Sequence, residues 1–229
     1  MTQRALIVIA RQSASGQSKP RLSPPLDSEQ ATALVTCFVR DTLENVRAAR
    51  RLIEFQPIIA YFPASAETYF RELAPDFELL FQQEADLAAR LNQLMTHYLT
   101  SGYDQAVIMD SDSPTLPADT LRRAFALLDS ADVSLGPRDD GGYYLIGLKR
   151  LAPDLFLKVT MGTPNVARDT LARARESGLS VARLPDGYNI DQVDDLYRLV
   201  GELGKLPATV ALNTRMFMMQ HPDILSAGP

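Results

Sequence analysis

Four short segments concentrate the carboxylates, cations and glycines from which chemistry can be built. Asp110 and Asp112 stand one residue apart in Asp110-Ser111-Asp112-Ser113-Pro114. They are hard oxygen ligands of the kind that suit Mg²⁺ or Mn²⁺, although an Asp-rich turn capping the next helix uses the same residues. Earlier in the chain, Gly16, Lys19 and Arg21 put two cations into a glycine-bearing loop, an arrangement able to hold a diphosphate. That loop lacks the Gly-Lys-Ser/Thr core of a Walker A motif and the three glycines of a dinucleotide fingerprint, and a solvated surface loop is the competing reading. The third segment runs from Gly136 to Tyr144. There Gly141 and Gly142 would let a substrate approach the backbone, Asp140 offers a carboxylate, and Tyr143 and Tyr144 offer a stacking wall. Asp-Gly between two apolar runs is also a hairpin signal, and both hold if the hairpin presents Asp140 at its tip. The fourth covers 188–196. Asp191 is either a second metal ligand facing Asp112 or the start of a helix whose first turn carries Asp194 and Asp195. Opposed carboxylates in a metal-free site would repel, so loss of one would leave stability unchanged or slightly raised.

Positioning these segments requires strands and helices in alternation. The apolar run 5–10 is a buried strand, followed by a long polar stretch, 11–27, whose length favours a functional loop. An amphipathic helix of about six turns follows, with Ala31, Leu34, Val35, Phe38, Thr42 and Val46 on one face and Asp27 with Gln30 as a capping pair. Further strands are expected at 57–62, 77–81, 105–109, 133–136, 143–148 and 180–184. Helices are expected at 64–73, 86–100, 118–128, after Thr163-Pro164, from about Asp191, and at 207–220. Such alternation implies an α/β fold with a mostly parallel sheet, helices on both faces and one antiparallel insertion after Asp132. Ligands then bind beyond the carboxyl ends of the strands, where all four segments fall. A single domain over 1–229 is the simplest account, with a core at about 4–204 and a C-terminal helix whose Met216, Phe217 and Met219 pack or support a homodimer.

Composition narrows the partners. Of 229 residues, 46% are hydrophobic, enough for a full core, and the net charge is −5 with no basic block, which argues against nucleic acid. A lone Cys37 precludes an intramolecular disulfide and reads as a small core residue. No apolar run reaches the length of a membrane span and no signal peptide is evident, so the cytoplasm is the expected compartment.

Taken in order, the segments resemble the bacterial nucleotide-diphospho-sugar transferases of the type-A glycosyltransferase fold. That family carries Lys-Thr-Arg-Leu after the first strand, Gly-x-Asp-x-Pro-x-Leu mid-chain, Gly-Pro-x-x-Asp-Gly-Gly-Tyr-Tyr-Leu-x-Gly-Leu, and Asp-x-Asp-x-x-x-Asp-Leu. The counterparts are Lys19-Pro20-Arg21-Leu22, Asp110 through Leu116, Gly136 through Leu148, and Asn189 through Leu196, so the likeness spans roughly 4–200. The resemblance implies a sheet of about seven strands, Asp112 and Asp191 as metal ligands with Asp110 as a third candidate, and Lys19 and Arg21 near the phosphates. It also implies a nucleotide-sugar donor, an acceptor of unspecified kind, and Asp140 contacting sugar or acceptor as a base. Three positions depart from the pattern: Pro20 for threonine, Asp110 for glycine and Met161 for tryptophan. A nucleotidyltransferase similar to the guanylyltransferases of cofactor biosynthesis is the second reading, since those share Lys-x-Arg-Leu. They tend, however, to follow Asp-Gly-Gly with Thr-Asn-Ala-Leu rather than Tyr143-Tyr144-Leu145. A non-catalytic nucleotide-binding protein is the third.

Overall fold

A computed structural model describes residues 2–12, 18–83 and 86–226. Its one sheet holds β1 (Arg4–Arg11), β2 (Gln56–Phe62), β3 (Glu78–Phe81), β4 (Gln105–Met109), β5 (Val133–Pro137), β6 (Tyr143–Leu148) and β7 (Val181–Arg183), in the order β3-β2-β1-β4-β6-β5-β7. All neighbours are parallel except β6, which runs antiparallel to both β4 and β5. The α/β class, the strand count and the antiparallel insertion agree with the sequence reading.

The helices are α1 (Ser28–Arg50), α2 (Glu67–Leu73), α3 (Leu87–Thr100), α4 (Ala118–Leu128), α5 (Asp154–Leu157), α6 (Val166–Glu176), α7 (Val193–Leu203), α8 (Leu212–Gln220) and α9 (Asp223–Ser226). Successive strand side chains point to opposite faces. Leu6, Val8, Val107 and Met109 therefore join Leu43, Phe70 and Phe125 in one core layer, while Ala5, Ile7, Ala106 and Ile108 join Leu94, Tyr98 and Phe156 in another. Apolar cover on both faces is why the central strands read as unbroken apolar runs. A third cluster packs α1 against Leu22, α7 and α8, with Leu34, Phe38, Leu196 and Phe217 buried. The expected face of α1 is inside, with Val35 half-buried, and Asp27 with Gln30 forms a full capping box. Among the described residues no helix is long and apolar enough to cross a membrane.

Two helix starts shift from expectation, each for a tertiary reason. The C-terminal helix starts at Leu212 rather than 207, after Ala211 adopts a left-handed backbone (φ 54). Its first N–H groups are taken by Asp41 of α1, and Arg215 holds the carbonyls of Leu203, Leu206, Pro207 and Val210 in a non-helical path. Phe217 packs inside, whereas Met216 and Met219 are exposed. The helix expected at Thr163-Pro164 starts at Val166, because Ala167 N–H donates to Gly141 O of the β5–β6 turn at 2.9 Å and fixes the first turn from outside. Helix α5, short and without amphipathic repeat, was not expected from sequence.

Cys37 lies half-buried beside the third cluster, and burial, with Asp41 nearby, pushes its thiol up to about 11. At pH 8 the thiolate fraction is on the order of one part in a thousand. Iodoacetamide should label Cys37 far more slowly in native protein than in denaturant; comparable rates would contradict its raised thiol and half-buried placement.

Candidate active site

The carboxyl ends of β1 and β4 deliver the first two candidate segments to the same place. After β1 the chain reaches Lys19, which takes a left-handed backbone (φ 43, ψ 64), uncommon for a non-glycine and sustained by its surroundings. Pro20–Leu22 follows as a 3₁₀ turn anchored by fully buried Leu22. Pro20 therefore sits at a first helical position, where its missing N–H costs nothing. Gly16 lies outside the described residues.

The left-handed turn aims Lys19 inward. Its Nζ is 3.0 Å from Asp112 Oδ2 and 3.6 Å from Asp191 Oδ1, with the Lys19 side chain only 11% exposed. Arg21 reaches the other oxygen of Asp191 at 3.4 Å from an exposed position. The backbone braces this meeting: Ile190 N–H donates to Asp112 O at 3.2 Å, and Ser113 Oγ donates to Tyr188 O at 2.9 Å. Residues 112 and 191 are thus neighbours in space, as the sequence reading required. Asp195, not Asp191, performs the helix-capping work at α7, accepting from Asp191 N–H and Gln192 N–H at 3.0 and 2.8 Å. That leaves the Asp191 carboxylate to the cations.

Asp110, the third candidate ligand, is engaged by other partners in this structure. Its Oδ2 pairs with Arg138 Nη1 at 2.9 Å, and its Oδ1 accepts from Asp112 N–H at 3.4 Å. Burial, then the Asp112 carboxylate, push the Asp110 carboxyl up, against the lowering influence of Arg138 and Lys19. Among the described residues, no three His, Cys, Asp or Glu side chains converge on a preformed metal position. Two hard carboxylates, Asp112 and Asp191, nevertheless share one cation, the Lys19 ammonium. Mg²⁺ commonly uses one or two protein carboxylates and completes its shell with phosphate and water, so this donor set fits such an ion.

Arg138 is a residue that sequence reasoning passed over. Its side chain, mostly buried, bridges Asp110 and, through Nε at 3.1 Å, Asp140 at the hairpin tip. Asp140 Oδ1 also accepts from Gly142 N–H at 2.8 Å, closing the turn. Asp139 pairs with Arg198, whose guanidinium lies 3.8 Å over the Tyr188 ring, so α7 is tied to the same tip. The signal for Arg138 lay in a partner 28 residues upstream, which spacing does not reveal.

The glycines of the turn have structural explanations. Gly141 has φ +85, and a Cβ there would fall 1.9 Å from Pro164 O, so its role is the close approach of α6. Gly136 and Gly187 make room on two sides for the Tyr144 ring, whose hydroxyl donates to Pro185 O at 3.0 Å. Tyr144 is therefore a buried packing residue rather than part of a stacking wall. Gly142 and Tyr143 line a cavity of about 560 Å³ together with Arg21, Asp140, Asp191, Met161 and Val166, among others. The Tyr143 hydroxyl is buried with no hydrogen-bond partner among the described residues.

Residues 45–163, just over half the chain, match the family model described as "Uncharacterized protein conserved in bacteria (DUF2064)". No curated protein sequence matches the chain. Among solved structures, a "putative nucleotide-diphospho-sugar transferase" from Desulfovibrio desulfuricans G20 is similar over 99% of this chain and 98% of its own, with 28% identity and a TM-score of 0.89. A CMP:2-keto-3-deoxy-manno-octonic acid synthetase complexed with CTP aligns over 89% and 99% of the two chains at 10% identity and TM-score 0.58. A manganese complex of Rv0371C from Mycobacterium tuberculosis H37Rv aligns over 87% and 98% at 20% identity and TM-score 0.50. The last two likenesses are of fold alone.

Proposed function

The chain belongs to the DUF2064 family of bacterial proteins, and from that premise we propose that it is a metal-dependent glycosyltransferase using a nucleotide-diphospho-sugar donor. The observation that carries this reading is the convergence of Lys19, Arg21, Asp112 and Asp191 beside a cavity lined by Asp140 and Tyr143. The 28%-identical, full-length likeness supports the same class, and the manganese-bound fold relative supports a divalent ion.

Asp112 and Asp191 would hold Mg²⁺ or Mn²⁺, with Asp110 as a neighbouring carboxylate that orients the Asp112 backbone. The ion would supply charge neutralisation at the departing diphosphate. Lys19, released from its two carboxylates, and Arg21 would bind the phosphate oxygens, giving electrostatic stabilisation where negative charge accumulates. Asp140 Oδ2, free of partners among the described residues, would receive the acceptor's proton. In the transfer, the acceptor oxygen bonds to sugar C1 as the bond from C1 to the diphosphate oxygen breaks, and that electron pair leaves with the diphosphate. Arg138 would hold Asp140 in place.

The second reading, nucleotidyl transfer, takes support from the CTP-bound fold relative. Incubation with Mn²⁺ and individual nucleotide-sugars, or individual nucleoside triphosphates, with a metabolite extract as acceptor pool, separates the two. Glycosyl transfer releases nucleoside diphosphate from a nucleotide-sugar; nucleotidyl transfer releases pyrophosphate from a triphosphate. Pyrophosphate with inert nucleotide-sugars would reverse the choice. Silence from both sets, with metal-dependent nucleotide binding retained, would point to the non-catalytic alternative.

A further inference from the structure

The cavity beside the cation cluster has a lining that selects by charge. Its ionisable members are Arg21 and Arg138 against Asp139, Asp140, Asp191 and Asp195. Both cations are already engaged, Arg21 by Asp191 and Arg138 by Asp110 and Asp140. Leu87, Leu91, Met161, Pro164 and Val166 add apolar surface to the same lining. Tyr143 also lines the cavity, and its hydroxyl is buried without a partner among the described residues.

Resting on the glycosyl-transfer reading, we propose that this cavity takes the acceptor, and that the acceptor is a hydroxyl-bearing molecule of neutral or positive charge with one apolar face, not a phosphate or carboxylate. Acceptor-only carboxylate oxygens complement hydroxyl and ammonium donors. With four carboxylates to two cations in the lining, an anion meets net like charge. Arg21 and Asp191 belong to both the lining and the phosphate cluster, so the acceptor would enter directly beside the donor diphosphate. The apolar surface suits the C–H face of a sugar or polyol ring.

Binding can be read without turnover, which keeps this proposal separable from the reaction assigned above. The methyl NMR signals of Leu87, Leu91, Met161 and Val166 would be followed during titration with glucose, glucosamine, glucose 6-phosphate and gluconate, with and without UDP and Mg²⁺. Glucose and glucosamine should shift the cavity methyls, with the two anions at least about tenfold weaker. Leu87→Lys, which adds a cation to the lining at a partly exposed position, should narrow that gap to about threefold or less. Anions binding as well as glucose in the native protein, or an unchanged gap in the variant, would overturn the assignment. So would no shift with any probe up to about 50 mM, a concentration at which even weak sugar sites fill. Failure of the glycosyl-transfer reading would appear elsewhere, as nucleotide-sugars that release no diphosphate while the methyl shifts persist.

Discussion

Asp112→Asn should reduce nucleoside diphosphate binding in Mg²⁺ or Mn²⁺ to its metal-free level and lower transfer by about 10²–10³-fold, the usual loss when one charge-stabilising group is removed. With native protein, ligand at a hundredfold excess over Kd adds about 2.7 kcal/mol, which for a chain of this size is a melting shift of several degrees at roughly 2–4 °C per kcal/mol. The variant should lose that shift. The metal-free protein should barely notice the change. The repulsion expected of two opposed carboxylates is already relieved by Lys19, and Asp112 and Asp191 are 31% and 41% exposed, so the ion pairs are solvent-screened and worth about 0.5 kcal/mol or less. Lys19→Met supplies the complementary result. Without the ammonium between the carboxylates, metal alone should bind more tightly, while the mutual reinforcement of metal and nucleotide should weaken. Isothermal titration of metal with and without UDP measures both terms. Undiminished metal-dependent binding in Asp112→Asn would remove Asp112 from the site.

The largest effect on stability is expected outside the cluster, at Asp41→Ala. The Asp41 carboxylate is buried and accepts four hydrogen bonds: from Asn213 N–H and Nδ2, and from Thr214 N–H and Oγ1, at 2.6 to 2.9 Å. It is the N-terminal cap of α8, supplied by α1 from 172 residues away in sequence. Truncation leaves two helix-end amides and two side-chain donors without their acceptor, costing roughly 3–5 kcal/mol and lowering Tm by about 10 °C. Asp41→Asn should recover only part of the loss, because an amide brings a donor to a place lined with donors. Hydrogen exchange should show α8 opening first. A Tm within about 2 °C of the native value would mean α8 is held by its apolar face alone, through Phe217 and Met218.

Asp41 also marks where sequence reading ran out. The strands around Ile7, Ile58 and Ile108 were legible because burial on both faces leaves an unbroken apolar run, and α1 because its apolar stripe and the Asp27–Gln30 box are local. The convergence of Lys19, Asp112 and Asp191 was legible from strand-end placement together with the resemblance. Features fixed by partners distant in sequence were not. Asp41 reads simply as a polar residue on a helix, Arg138 as one more charge in a turn, and Pro164 as a helix start, until Asn213, Asp110 and Gly141 are seen beside them. Gly141 is easily read as room for a substrate, whereas the backbone of Pro164 occupies that space; Gly142 lines the cavity with the Arg138 guanidinium beside it.

The cation cluster has a consequence for how the molecule comes into being. Lys19 and Asp112 are 93 residues apart, and Arg21 and Asp191 are 170 apart. Joining them closes two long loops, and the entropy of such closures must be met before any contact repays it. On the ribosome, where synthesis runs from the N-terminus, a nascent chain can pair β1 with β2 and β4 while the partner of Lys19 at 191 does not yet exist. The nucleotide recognition proposed for this cluster would therefore wait until residue 191 has been synthesised. A ligand that bridges Lys19, Asp112 and Asp191 then acts as a clasp on an early and a late part of the same chain, slowing the opening of both.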